Sequence, residues 1–315
     1  MYKNKTVAVV VPAHNEEHLI LTVLKTMPPY VDRIIVVNDA STDETGSVLE
    51  AEKQHYPALE VIHHDTNQGV GGSIATGYLR ARDLKMDVTV VMAGDAQMDP
   101  ADLPAIIDPI ASDQADYTKG NRLFRGESWE LIPHYRYLGN SFLSFLTKIA
   151  SGYWHIADSQ CGYTGISLEA LNSIDITDIY KRYGMPNDLL IKLNIAGMRV
   201  RDVTVRPVYN IGERSGIRLW KVIPTISILL WRGFLRRLFA KYVIKDFHPL
   251  VLFYCLSFLT LPVSFLFFCR VLFVYFSSGF VPFTSHLLFW FMFISGLQTF
   301  LFAMWFDMEY NKDLR

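Results

Sequence analysis

The sequence has too few cysteines and too little net charge for several broad classes. Cys161, Cys255 and Cys269 are the only cysteines, and none forms a C-x-x-C pair. An odd count without paired spacing excludes a disulfide framework and a cysteine-built zinc site, and it suits a reducing compartment. The formal net charge is −1, so no basic surplus points to nucleic acid as a partner. The N-terminus has no long apolar run: Met1–Thr6 is polar and Val7–Val11 is too short for a signal-peptide core. The N-terminal part is therefore expected to stay in the cytosol. A dinucleotide fingerprint is also missing. After Gly69-x-Gly71 its third glycine would fall at Ile74, which disfavours a dehydrogenase.

What the chain does have is apolar residues, 50% of the total, with 21 Phe. They are unevenly placed. Residues 1–215 read as a mixed globular domain, whereas residues 250–306 are overwhelmingly apolar. Leu250–Cys269 and Leu287–Phe306 carry no charged side chain. Each is long enough for a membrane span of about 20 residues, and neither keeps the polar stripe of a soluble helix. Ser277, Ser278, Gly279 and Pro282 interrupt the pattern and predict a hairpin turn. Basic residues crowd before the first span, at Arg214, Arg218, Lys221, Arg232, Arg236, Arg237, Lys241 and Lys245, and Lys312 and Arg315 follow the second. None lies in the turn, so both termini are expected on the cytosolic side. Arg270, inside the apolar region, is expected to snorkel to the outer interface. Across Ile217–Phe247, Trp220, Trp231, Phe234 and Leu238 alternate with cations. That pattern predicts amphipathic helices in the membrane interface, facing anionic lipid.

In the N-terminal part, strand and helix patterns alternate. Val7–Val11, Arg33–Val37, Leu59–His63, Val88–Met92, Tyr117–Lys119 and Arg199–Val205 are short and rich in Val and Ile, as buried parallel strands are. Helices are predicted over Glu17–Thr26 and Thr42–His55, the second with a Ser41/Glu44 capping box. A cap at Asp99 with Pro100 at the first helical position predicts a further start. Such alternation means an α/β fold with a mainly parallel sheet and ligands at the carboxyl ends of the strands.

Polar residues collect at those ends. They are Pro12-Ala13-His14-Asn15-Glu16-Glu17 after the first strand and Asn38-Asp39-Ala40-Ser41-Thr42-Asp43 after the second. Asp65 and Asn67-Gln68-Gly69-Val70-Gly71-Gly72 follow the third, and Ala93-Gly94-Asp95-Ala96-Gln97-Met98-Asp99 the fourth. Four such groups on one edge predict a shared site. Glu16 and Asp39 are acceptors for base or ribose N–H and O–H groups. Gly69, Gly71 and Gly72 precede a helix N-terminus, a setting that favours an anion. Asp95 and Gln97 offer oxygens to a hard cation, Mg²⁺ or Mn²⁺, completed by diphosphate and water.

With these motifs the sequence resembles the inverting family 2 glycosyltransferases of the GT-A fold, of the polyprenyl-phosphate sugar synthase type, over residues 5–220. Pro12-Ala13-His14-Asn15-Glu16 resembles P-x-Y-N-E, and Asn38 through Asp43 resembles D-D-G-S-x-D. Asn67-Gln68-Gly69 with Gly72 and Gly77 resembles N-x-G-x-x-x-A-x-x-x-G. Gly94-Asp95-Ala96-Gln97 resembles the end of the D-A-D-x-Q metal motif, Gly120-Asn121-Arg122 resembles G-S-R, and Asp158 through Tyr163 resembles D-x-x-x-G-[FY]. The departures are His14 for Tyr, Asn38 for the first acid of its motif, and Ala93 for one metal-motif carboxylate.

The resemblance implies a GT-A nucleotide-sugar-binding domain over 1–215, interface helices over 216–248, a two-helix transmembrane hairpin over 249–307 and a cytosolic tail over 308–315. Pro12, Ala13, His14, Glu16, Asn38, Asp39, Asn67, Gly69, Gly72 and Gly94 would bind the UDP- or GDP-sugar. Arg122 and Arg136 would contact the acceptor phosphate with Asn140 near them, and Arg214 and Arg218 sit where the family has a late basic motif. Asp188 falls where the family has an acid facing the sugar, and Asp158 either orients a substrate or caps the following strand. The partners implied are a nucleotide sugar, a polyprenyl phosphate (undecaprenyl or dolichyl) and the membrane, with homo-oligomerisation through the hairpin left open. The alternatives are transfer onto a sugar or glycolipid hydroxyl, for which Asp188 is the candidate base, and a non-catalytic nucleotide-sugar-binding module.

Overall fold

A computed structural model describes residues 1–123, 134–206 and 219–315, apart from the side chains of residues 134–138, 140 and 219–222. It contains two compact units, Met1–Phe234 with Asp313–Arg315, and Leu235–Lys312.

The first unit is built on a seven-stranded sheet: β1 (Val7–Ala13), β2 (Arg33–Asn38), β3 (Leu59–His63), β4 (Val88–Val91), β5 (Tyr117–Asn121), β6 (Thr164–Ser167) and β7 (Val200–Thr204), in the order β3-β2-β1-β4-β6-β5-β7. β1 pairs in parallel with β2 and β4, β2 with β3, and β5 with β7; β6 runs antiparallel to β4 and β5. The expected parallel strands form where Val and Ile predict them. β6 was not anticipated, because Thr164-Gly165-Ile166-Ser167 has little apolar content. Gly165 lets the strand fit, since a Cβ there would stand 2.7 Å from Thr118 Oγ1.

Helices α1 (Ile20–Thr26), α2 (Thr45–Glu52), α3 (Val70–Asp83), α4 (Leu103–Ala111), α5 (His134–Ser151), α6 (Leu168–Ser173) and α7 (Met185–Ala196) cover both faces. One apolar cluster joins Ala8, Val10, Ile35 and Val37 to Ile74, Tyr78, Leu189 and Leu190. The other joins Val7, Val9, Val36 and Val90 to Ile20, Leu24, Ile106 and Ile107. Alternate residues of β1 thus enter opposite layers, as the two-residue period of a strand requires. Asp99 caps its turn as expected, accepting from Ala101 N at 2.9 Å with Pro100 behind it. The Ser41/Glu44 capping box does not form. α2 starts at Thr45, and Ser41 Oγ instead accepts from Asn15 N at 3.0 Å.

α8 (Leu219–Phe239) carries two apolar stripes. Ile226, Leu230 and Phe234 are buried, Gly233 lies against Ile191, and Leu229 lies against Gly184. This packing extends the first compact unit to Phe234, past residue 215. Ile223, Ile228, Trp231, Leu235 and Phe239 stay exposed on the same helix.

In the second unit, α9 (Leu250–Ser278) and α10 (Phe283–Tyr310) are each long and apolar enough to cross a membrane. α9 runs through Ser277 and Ser278. It ends at Gly279, whose left-handed backbone (φ 67°) lets its N–H close onto the Tyr275 carbonyl. Gly296 of α10 lies against Thr260 and Leu261, where a larger residue would separate the helices. Arg270 is exposed and lies about 30 Å along α9 from Leu250, the full thickness of a bilayer core.

Two of the cations expected to face lipid do not. Arg237 is fully buried, and its Nη1 and Nη2 donate to Asp307 Oδ1 and Oδ2 at 2.8 and 3.0 Å. The Tyr242 hydroxyl donates to the same carboxylate and accepts from Asn311 Nδ2 at 2.7 Å. Lys241 Nζ donates to Asn311 Oδ1 at 2.6 Å, and burial followed by repulsion from Arg237 pushes its ammonium down to about 7. Along the sequence these two cations look like surface charge, because their partners, Asp307 for Arg237 and Asn311 for Lys241, each lie seventy positions away. Removing one partner of such a buried pair costs about 3–5 kcal/mol. Asp307→Ala should therefore lower the unfolding midpoint of the full chain in detergent, and adding Arg237→Met should recover much of the loss. An unchanged midpoint in the single variant would refute the burial of this pair.

Candidate active site

In the sheet, β1 connects towards β2 on one side, and β4 lies on the other. The crevice between the carboxyl ends of β1 and β4 is therefore a topological switch point. The loops after β1, β2 and β4 all meet there, and each contains a non-glycine residue with positive φ: Asn15 (58°), Ala40 (53°) and Ala96 (57°). Such backbone is costly for alanine. Ala40 stands where D-D-G-S has its glycine, and this φ explains why a glycine suits that position.

The β1 and β2 loops are knitted together. Thr42 N donates to Asn15 Oδ1 at 2.8 Å, Glu16 N to Thr45 Oγ1 at 2.8 Å and Glu17 N to Asp43 Oδ2 at 3.2 Å. His14 Nδ1 lies 2.8 Å from the Asp39 carbonyl oxygen. Pro12 and Ala13 close β1, with the Pro12 carbonyl 3.2 Å from Gly94 N. Asn38 is buried, with Nδ2 3.1 Å from His63 Nδ1 and Oδ1 accepting from Ser41 N at 3.2 Å.

Asp39 is engaged within the chain. Its carboxylate is buried and accepts from Gln68 N and Gly69 N at 2.8 Å each, with His64 Nδ1 at 2.7 Å. The acid proposed for base or ribose thus holds the β3–α3 loop, assisted by Asn67 Nδ2 on the Asp39 carbonyl at 3.4 Å. The Gly69–Gly72 turn is likewise held by the chain itself. Gly71 N and Gly72 N donate to the Lys181 carbonyl at 2.9 and 3.2 Å. A Cβ on Gly69 would stand 2.6 Å from that oxygen, and one on Gly72 2.6 Å from Gln68 Cβ. The close approach these glycines permit is to the chain itself, the Tyr180–Lys181 backbone for Gly69 and Gly71 and the Gln68 side chain for Gly72. Sequence spacing revealed the close approach but not what makes it.

At the switch point itself, Asp95 Oδ1 accepts from Gln97 N at 3.0 Å. A Cβ on Gly94 would stand 3.5 Å from Glu16 Cγ, so Glu16 lies against the β4 loop. Burial, then the charges of Asp95 and Asp43, push the Glu16 carboxyl up to about 7. Acidic side chains gathered at one crevice fit a divalent cation. Among the described residues no three His, Cys, Asp or Glu side chains converge on a point. The fold sets Glu16 beside Gly94, the residue after Ala93.

A second cluster lies at the ends of β5, β6 and β7. Asp158 is fully buried, and Arg122 Nε donates to its Oδ2 at 2.8 Å and Nη2 to its Oδ1 at 3.2 Å. Gln160 N adds a bond to Oδ1 at 3.1 Å. Burial alone would raise the Asp158 carboxyl; Arg122, with help from Lys119, holds it below the usual carboxylate range. Asp158 therefore fixes the plane of Arg122. Lys119 and Asp202, which the sequence reading passes over, share this cluster. Burial, opposed only in part by the Ala157 amide and Lys119, pushes Asp202 up to about 6. Asp188 Oδ2 accepts from Tyr180 N at 2.9 Å and lies 3.8 Å from Lys192 Nζ, so this carboxylate braces the loop before α7. Arg136 and Asn140 lie on α5 with side chains outside the described set, and Arg214 and Arg218 fall outside the described residues.

Comparison with known proteins decides the family. Residues 8–175 match the model for glycosyl transferase family 2. This chain belongs to that family. Among the relatives of this glycosyltransferase is a UDP-N-acetylglucosamine–dolichyl-phosphate N-acetylglucosaminyltransferase from Methanococcus voltae, 30% identical over 65% of this chain and 87% of the relative. An undecaprenyl-phosphate mannosyltransferase from Micrococcus luteus is 29% identical over 63% of this chain and 82% of the relative. Among solved structures, glucosyl-3-phosphoglycerate synthase from Mycobacterium tuberculosis, crystallised with Mn²⁺ and UDP, superposes with a TM-score of 0.53 at 21% identity. It covers 74% of this chain and 80% of the other. That likeness shows the GT-A-like fold alone.

Proposed function

We propose that this glycosyltransferase moves a sugar from a nucleoside diphosphate sugar to a polyprenyl phosphate at the cytosolic face of a membrane, with inversion at the anomeric carbon. The observation that carries the reading is Arg122, its guanidinium fixed by buried Asp158 at an edge of the sheet's site, in a chain whose relatives are named for phosphate acceptors. A phosphate monoester has a second pKa of about 6 and is already anionic near neutral pH. No strong base is needed. The engagement of Asp188 with Tyr180 N and Lys192 favours this acceptor over a sugar hydroxyl.

The donor would lie over the switch point, its nucleoside against the Pro12–Glu16 and Asn38–Asp43 loops. Asp39, Asn67, Gly69 and Gly72 shape that wall. Asp95, with Gln97 and Glu16, would hold Mg²⁺ or Mn²⁺, which when bound neutralises the departing nucleoside diphosphate. Arg122, with Arg136 and Asn140 and then Arg214 and Arg218, would orient the acceptor. An acceptor phosphate oxygen attacks the anomeric carbon, the bond from that carbon to the diphosphate oxygen breaks, and the nucleoside diphosphate leaves. Catalysis here is positioning and charge stabilisation. The hairpin of α9 and α10 and the exposed stripe of α8 would hold the domain at the lipid surface where the acceptor resides.

Membranes containing the full chain, Mg²⁺ or Mn²⁺ and polyprenyl phosphate should move label into the organic phase from one member of a panel of radiolabelled nucleotide sugars. Label recovered only on a sugar or glycolipid hydroxyl would replace this acceptor, and donor binding without any transfer would point to a non-catalytic module.

A further inference from the structure

Lys119 is fully buried on β5, and its Nζ donates to the Cys161 carbonyl at 2.6 Å. A wholly buried lysine is rare without a carboxylate nearby. Burial pushes the Lys119 ammonium down, and two carboxylates within electrostatic reach, Asp158 and Asp202, oppose that. Asp202 is the register partner of Lys119 across the parallel β5–β7 pair, so the two side chains rise side by side from one face of the sheet. Asn121, two residues on, donates from Nδ2 to Asp202 Oδ2 at 3.0 Å, and Ala157 N donates to the same oxygen at 2.8 Å. Asp202 Oδ1 is buried without a hydrogen-bond partner among the described residues. Its charge therefore has to be balanced through space.

The formal count across this cluster is two cations, Lys119 and Arg122, against two carboxylates, Asp158 and Asp202. Arg122 is matched by Asp158 through the bidentate contact. Without Lys119 the charge of Asp202 would be uncompensated, and the cluster would meet an incoming phosphate with a net negative field. Placing a positive charge on β5, three residues before Arg122 and sealed from water where screening is weakest, removes that repulsion.

We propose that Lys119 is a positioning residue for acceptor binding: a buried counter-charge to Asp202 that keeps the Arg122–Asp158 site receptive to a phosphate anion. The proposal rests on the phosphate-acceptor reading above. It assigns Lys119 no contact with substrate and no proton to transfer.

The test is binding of farnesyl phosphate to the full chain in detergent by calorimetry at pH 7.5, in wild type, Lys119→Met, Asp202→Asn and the double variant. Nucleotide affinity and unfolding midpoint are measured alongside. One unit of charge at roughly 10 Å in a partly screened setting changes the affinity for a divalent anion about 10-fold. Lys119→Met should weaken binding by about that factor with nucleotide affinity unchanged. The double variant should return to within about 3-fold of wild type, because it restores the charge balance without restoring the lysine. A merely structural role for Lys119 would leave the double variant as weak as the single one or weaker. If Lys119→Met does not fold, Asp202→Asn decides alone: it should bind the phosphate several-fold more tightly, and unchanged affinity there overturns the proposal. Equal affinity in wild type and a folded Lys119→Met overturns it while sparing the acceptor reading. Failure of the wild type to bind farnesyl phosphate overturns both.

Discussion

Asp95→Ala should reduce sugar transfer on the order of 100-fold or more, about 3 kcal/mol of transition-state stabilisation, with the loss concentrated in kcat and in the concentration of Mg²⁺ or Mn²⁺ needed for half-maximal rate. The family's metal motif has two carboxylates and this chain keeps one, since Ala93 stands where the other belongs. The other acid of its loop, Asp99, caps the following turn, and Glu16 is the acid that the fold sets near Asp95. Glu16→Gln should raise the cation requirement but spare more activity than Asp95→Ala, because glutamine keeps an oxygen in place. Steady-state rates across a titration of cation check both. If Asp95→Ala stays within about 3-fold of wild type at saturating cation, the assignment of the metal to the β4 loop is wrong.

Asp158→Ala should do two separable things. It leaves the Arg122 guanidinium, only a quarter of whose side chain is exposed, beside an empty buried position. Breaking such a pair costs about 3 kcal/mol of stability. It also frees Arg122 from a single plane, so kcat/KM for the polyprenyl phosphate should fall about 100-fold while the affinity for nucleotide stays constant. The pH dependence distinguishes this role from general-base catalysis. The native carboxyl is held below its ordinary value of 3.8. The stability it gives is thus complete above that value and lost as pH falls through the lower, native one. No loss of rate from Asp158 is expected near pH 6, where a catalytic base with a raised pKa would show one. A kcat/KM profile that loses an acidic limb in Asp158→Asn would make Asp158 the base.

Much of the fold was legible in the sequence because it rests on patterns that survive without tertiary context. Runs such as Val7–Val11 and Arg33–Val37 are too apolar and β-branched to form exposed structure, and both became inner strands. The charge-free stretches became α9 and α10. β6 was hidden, since Gly165 and two hydroxyl residues fill a strand only when neighbours leave just that space. Ser41 matched a capping box by spacing, but its hydroxyl went to Asn15 because the loop bends at Ala40.

The sequence by itself determined the alternation of the parallel strands with helices, the apolar hairpin, and the gathering of acids, amides and glycines at the carboxyl ends of the strands. Each of these is local in sequence and follows from periodicity, turn chemistry or the cost of exposing apolar surface. Only the tertiary structure decided which polar groups face the crevice and which hold it together. Asp39, Gly71, Arg237 and Lys241 found partners 29, 110, 70 and 70 positions away, at Gln68, Lys181, Asp307 and Asn311. A buried carboxylate or cation is tolerated only where such a partner arrives, and the arrival is a property of the packed chain. The same packing set Glu16 beside Asp95 and Lys119 beside Asp202, two neighbours that no spacing rule along the chain connects.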